Sequence, residues 1–263
     1  MGETVLEAVS LRKAYMGRQV LDGIDLDVSD GETLVILGPS GSGKSTLLRC
    51  LVGLERPDQG VVRLHGVDIF EADTHTLARL RERIGMTFQG GALFGSMTVA
   101  GNIDVPLSEY TRLPLSTRRI IARIKLGTVG LEDALDRYPS ELSGGMRKRV
   151  ALARAMALDP EILFCDEPSA GLDPITAASL DELMNQLKRI FDVTLVVVTH
   201  EMASAFAIAN RIAMIHEGKI RISGSPEELR ASQDPVVRRF LDRVPTDSPR
   251  GAAGRRIILG DSA

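Results

Sequence analysis

One stretch narrows the choice of fold more than any other. Gly38-Pro39-Ser40-Gly41-Ser42-Gly43-Lys44-Ser45 satisfies the phosphate-binding pattern G-x-x-x-x-G-K-[ST]. Its flanks suit that chemistry. Thr33-Leu34-Val35-Ile36-Leu37 is a short apolar run that predicts a buried parallel strand. Thr46-Leu47-Leu48-Arg49-Cys50-Leu51-Val52 predicts a helix. Glycines in such a P-loop let backbone N–H groups turn inward around an anion, and the helix N-terminus adds partial positive charge. Lys44 can reach the β- and γ-phosphates of a nucleotide, and Ser45 can ligate Mg²⁺.

Further apolar runs predict partners for that strand. Ile84–Gln89, Glu161–Asp166 and Thr194–Thr199 each read as strands, with helical patterns between them. Leu180, Leu183 and Leu187, with Ile175 and Ile190, recur at helical spacing within 175–191. Strands alternating with helices predict an α/β domain with a mostly parallel sheet. Val5–Lys13, Ile24–Val28 and Val61–Leu64 predict an N-terminal antiparallel β region woven around the P-loop strand. Residues from about 98 to 157 carry helical patterns with breaks at Pro106, Pro114 and Pro139, which predicts an inserted α-helical subdomain. The nucleotide-binding domain is expected to span 1–240, with 241–263 as a C-terminal extension, disordered or docked on a partner through Ile257-Ile258-Leu259.

The net charge of −3 gives no reason to expect nucleic-acid binding. Cys50 and Cys165 sit in apolar runs and belong to no C-x-x-C pair, so buried reduced thiols are expected. No signal peptide is visible, and no apolar run approaches the ~18 residues that span a bilayer. Work at a membrane would need spanning helices from another chain.

Ligands of such sheets lie at the C-terminal strand ends, where Gln89, Asp166 and His200 fall. Asp166 ends an apolar strand downstream of a P-loop, the position of a carboxylate that holds Mg²⁺. Glu167, beside it, is placed to orient and deprotonate an attacking water. Gln89 can reach metal and water, and His200 can bond a γ-phosphate. Leu142-Ser143-Gly144-Gly145-Met146 is a second glycine loop opening a second helix. One nucleotide does not need two such anion sites in one chain. Two chains arranged head to tail would use both, each ATP lying between one P-loop and the other chain's Ser143 loop.

These elements, in this order, resemble the ATP-binding subunits of ABC transporters over roughly residues 4–230. The resemblance implies that Tyr15 stacks on adenine and that Gly38–Ser45 is Walker A, with Thr46 next to the phosphates. It makes Gln89 the Q-loop, Ser143-Gly144-Gly145 the signature loop and Ile162–Asp166 with Glu167 the Walker B strand and catalytic glutamate. Asp173 belongs to the D-loop, and His200 is the switch histidine. Met146 departs from the family, where many importers carry glutamine; altered packing with retained activity is expected. Phe88–Phe94, Met97-Thr98-Val99, Asp173-Pro174-Ile175 and Asp234–Asp242 are further similar to the MlaF-type ATPases of Mla/Mce phospholipid transporters.

That likeness implies an ATP- and Mg²⁺-dependent ATPase at the cytoplasmic face of the inner membrane. Its implied partners are a second copy, an MlaE-like permease, an MlaD-like MCE-domain subunit and an MlaB-like STAS-domain subunit. A polar amino-acid importer is the alternative. A soluble, non-transport ABC protein is disfavoured by the single cassette and the lack of heptads or a basic face. Leu93, Phe94 and Met97 could line a groove for a permease helix or pack internally.

Overall fold

The computed structural model describes residues 2–242. The tail from 243, with Ile257-Ile258-Leu259, lies outside the described residues. In chain order the strands and helices are β1 (Thr4–Tyr15), β2 (Arg18–Ser29), β3 (Thr33–Leu37), α1 (Lys44–Leu51), β4 (Gln59–Leu64), β5 (Val67–Asp68), α2 (Thr74–Glu82) and β6 (Ile84–Thr87). Then come α3 (Val99–Tyr110), α4 (Leu115–Thr128), α5 (Gly144–Ala155), β7 (Ile162–Asp166), α6 (Pro174–Phe191), β8 (Thr194–Thr199) and α7 (Met202–Ile208). β9 (Arg211–His216), β10 (Lys219–Gly224), α8 (Pro226–Ala231) and α9 (Pro235–Leu241) follow.

The strands form two sheets. One is antiparallel and four-stranded, in the order β2-β1-β4-β5; the other is six-stranded, in the order β10-β9-β3-β8-β7-β6. β3 pairs in parallel with β8 and β9, so the antiparallel strands do not weave around it as the sequence suggests. The physical reason is that β3 is buried at all five positions and both its edges are taken by parallel neighbours. The antiparallel sheet meets it through α1 instead.

Alternation along the central strands builds two cores. Leu34, Ile36, Ile162, Phe164, Val196 and Val198 face α1 and the antiparallel sheet, together with Leu47, Leu48 and Leu51. Val35, Leu37, Leu163, Cys165, Leu195 and Val197 face the helices, meeting Val150, Leu180 and Met184. Burying each large side chain contributes roughly 1.5–3 kcal/mol. Cys50 and Cys165 are both buried free thiols, and burial pushes the Cys165 thiol up to about 12.

Two local expectations change. Pro106 lies inside α3 rather than ending it. Buried Val99, Ile103 and Leu107 hold that helix, and buried Asn102 ties it down by accepting from Phe94 N–H at 2.7 Å and donating to Thr98 O at 3.0 Å. This packing outweighs the missing proline N–H. On α6, Leu180, Leu183 and Leu187 are buried, but Ile175 and Ile190 are 83% and 69% exposed. The buried stripe is completed by Ala177 and Met184.

Candidate active site

Four neighbouring parallel strands end along one edge. In the order β3-β8-β7-β6 they deliver the glycine loop after Leu37, His200 after Thr199, Asp166 and Glu167 at the end of β7, and Gln89 shortly beyond Thr87. Parallel pairing fixes their depth: Leu37 lies opposite Thr199, and Asp166 opposite Val198.

The loop needs bare backbone at particular points. Gly43 has φ +107°, where L-residues are strained. A Cβ on Gly38 would come within 2.3 Å of the Ile215 carbonyl oxygen, and one on Gly43 within 2.8 Å of the Val20 oxygen. The loop is therefore pinned against β2 and β9. Inside it, Ser42 Oγ is buried and has no hydrogen-bond partner among the described residues. Lys44 is only 6% exposed, and its ammonium donates to the carbonyls of Gly38 and Pro39 at 2.9 and 3.0 Å. Burial holds the Lys44 pKa below its ordinary value, against the opposing pull of Glu167 and Asp166. An orphaned hydroxyl and an under-compensated ammonium in a closed loop suit an anionic ligand.

Ser45 Oγ lies 3.4 Å from Asp166 Oδ1. Burial, reinforced by the neighbouring Glu167, raises the Asp166 carboxyl above its usual range. Glu167 is 7% exposed and sits at φ +48°. Its N–H donates to Val198 O at 2.9 Å. His200 Nδ1 is 2.9 Å from both carboxylate oxygens, and Lys44 Nζ is 4.0 Å from Oε1. Lys44, Ser45, Asp166, Glu167 and His200 thus form one connected cluster.

Gln89 is exposed; its carbonyl accepts from Lys148 Nζ, which also donates to the Glu167 carbonyl at 3.2 Å. Tyr15 is half-exposed and donates its hydroxyl to Glu55. It lines an open cleft of about 610 Å³ with Pro39–Ser42 and the turn His216–Gly218. Thr46 is buried in the first turn of α1.

The Ser143 loop lies elsewhere. Ser143 Oγ caps α5 by accepting from Met146 N–H at 3.3 Å. A Cβ on Gly145 would stand 2.7 Å from Thr176 Cγ2, and one on Gly144 3.6 Å from Leu172 Cδ2. The loop therefore rests on the start of α6. Asp173 caps α6, accepting from the N–H groups of Ile175 and Thr176 at 3.1 and 3.0 Å. Among the described residues, no hydrogen bond joins Ser143–Gly145 or Asp173 to the strand-end cluster. Met146 packs against the helix-side core. Sequence reasoning gave no site role to Lys148 or to the 216–218 turn. Neither carries a motif, and both are recognisable only once distant segments meet.

A family model described as ABC transporter matches residues 21–170. The chain is 41% identical over 252 residues to the intermembrane phospholipid transport system ATP-binding protein MlaF of Escherichia coli K12, covering 95% of this chain and 93% of that protein. It is 41% identical over 237 residues to the probable ribonucleotide transport ATP-binding protein mkl of Mycobacterium leprae, covering 90% of this chain and 68% of that one. Among solved structures, the dimeric ATP-binding cassette MJ0796 with ADP and Pi superposes with a TM-score of 0.77 at 32% identity, covering 84% of this chain and 98% of that one. For cbiO1 from Clostridium perfringens the TM-score is 0.79 at 28% identity, covering 92% and 96%.

Proposed function

The chain belongs to the ABC transporter family as an ATP-binding, ATP-hydrolysing subunit, and from that premise we propose that it powers phospholipid transport from the cytoplasmic face of the inner membrane. The cargo reading rests on the MlaF relatives, whose length the chain spans almost fully, against about two thirds for the mycobacterial proteins named for ribonucleotides. Among the described residues no helix is long and apolar enough to cross a membrane, so the spanning path belongs to a permease. Phe88, Phe94 and Tyr110 line an apolar cleft of about 600 Å³ beside β6 and α3, a fitting seat for a permease helix. Phe94 and Met97 are exposed for that role, whereas Leu93 packs inward. MCE-domain and STAS-domain partners belong to the same reading.

One observation carries the mechanism: a nearly buried Glu167 carboxylate bonded to His200 and 4.0 Å from Lys44. Glu167 accepts the proton of a water that attacks the γ-phosphorus in line, and His200 holds the carboxylate in place. Lys44, Ser42 and the loop N–H groups stabilise charge on the phosphoryl oxygens. Ser45 and Asp166, whose oxygens lie 3.4 Å apart, would hold Mg²⁺ with an oxygen from Gln89, and the ion would neutralise phosphate charge. Tyr15 offers a ring for adenine at the mouth of its cleft. Ser143, Gly144, Gly145 and Asp173 complete the site of a second copy, head to tail.

Purification with the membrane partner and reconstitution into vesicles tests the cargo. ATP-dependent movement of labelled phospholipid supports the proposal; ATP turnover stimulated by an amino acid or nucleotide, with phospholipid inert, overturns it.

A further inference from the structure

Glu167 needs support that its own strand does not supply. It is a side-chain-bearing residue at φ +48°, a backbone region that persists only where surroundings over-determine it. Val198 fixes its N–H from β8. Its carbonyl is gripped from α5 by Lys148, whose ammonium also holds the carbonyl of Gln89. Two main-chain segments distant in sequence therefore meet at one charge. Lys148 forms no ion pair among the described residues, and burial holds its pKa below the ordinary lysine value. A half-buried ammonium serving only carbonyls is an arrangement that packing alone does not call for.

A second grip lies further along the same helix. Arg154 donates to the carbonyls of Gly91 and Ala92 at 2.8 and 2.7 Å. Both cations project from α5, the helix that Ser143 opens. The segment following Gln89 is thus fastened at two points to the rod that carries the signature loop.

We propose that Lys148 is a positioning residue of the ATPase site. It sets the main chain of Gln89 and of Glu167 against α5, so that a displacement of the Ser143 end moves both together. The proposal rests on the reading of Glu167 as the base.

The test uses the full-length chain assembled with its membrane partner, as Lys148→Met, Lys148→Gln and Lys148→Arg. Methionine keeps the apolar stem and removes all three donors. Turnover of Lys148→Met should fall about tenfold, with ATP affinity within about twofold of wild type. Lys148→Arg should recover to within about threefold of wild-type kcat, because it still donates to carbonyls. Lys148→Gln should fall between, and carries the test if the methionine variant does not assemble. A loss of kcat under about threefold in Lys148→Met, or an equal loss of kcat and ATP affinity, overturns the proposal. So does an arginine variant as impaired as methionine. Wild-type turnover in Glu167→Gln would instead remove the base assignment, whatever Lys148 does.

Discussion

The P-loop of the strand-end cluster and the Ser143 loop are both glycine turns at helix N-termini, yet they are finished differently. Lys44, Glu167 and His200 lie within 4.0 Å of one another in series, and buried carbonyls and carboxylates surround the ammonium. Ser143–Gly145 touches its own helix and the start of α6, and Asp173 spends its carboxylate as a cap. The first region makes its polar contacts inside one chain. The second rests on its own helix cap and the start of α6 and, among the described residues, makes no hydrogen bond to the cluster. On our reading the difference marks a divided site: chemistry on one copy, closure on the other.

The comparison breaks most sharply at Glu167. Glu167→Gln should lower ATP turnover by roughly 10²–10⁴-fold, the range for removing a general base, with ATP affinity kept. Phosphate release from the assembled transporter measures it; an unchanged rate would return the chemistry to another residue. Ser143→Arg should also stop most turnover, by at least about tenfold, through charge and bulk at the closing face. ATP affinity of the single chain, measured with a fluorescent analogue, should stay put. If single-chain affinity collapsed, the two regions would be one site after all.

Smaller effects sharpen the contrast. Glu32 and Arg211 form a two-pronged pair, at 2.7 and 3.1 Å, remote from both regions. Burial alone would raise the Glu32 carboxyl, but the Arg211 hydrogen bonds, the Ser29 N–H and the charges of Arg211 and Lys188 together outweigh it and hold the pKa below the ordinary 4.5. A carboxyl lowered in the folded state contributes stability that is present above pH 4.5 and lost as pH falls through its folded value. Glu32→Gln should cost roughly 1–3 kcal/mol near neutrality and flatten stability across that acid window, by urea denaturation at several pH values. Normal ATP affinity in that variant would separate stability from site. Asp173→Ala should lower stability slightly by loss of a helix cap, read as a small drop in the urea midpoint. A loss of turnover well beyond that loss of stability would give Asp173 a part in closure besides capping.

What was legible in the sequence follows the range of the interactions. Leu34–Leu37 and Thr194–Thr199 declare buried strands because neighbouring residues suffice to show it. The P-loop was legible because its glycines answer to clashes that any such turn would meet. Ser143 was legible as a cap for the same local reason. Pro106 was misread because the contacts that keep α3 intact come from Phe94 and the surrounding core, not from the helix itself. Ile175 and Ile190 have apolar character at helical spacing, but spacing does not say which face meets a neighbour. Lys148 was invisible because its meaning lies in two carbonyls, at positions 89 and 167, that only the fold brings together.

Sedimentation of the full-length Glu167→Gln chain, with and without ATP, tests the divided site most directly. The account predicts a monomer without nucleotide, a dimer with ATP, and a return to monomer when Ser143→Arg is added while ATP stays bound. A chain that binds ATP yet remains monomeric, or a dimer indifferent to Ser143→Arg, would contradict it.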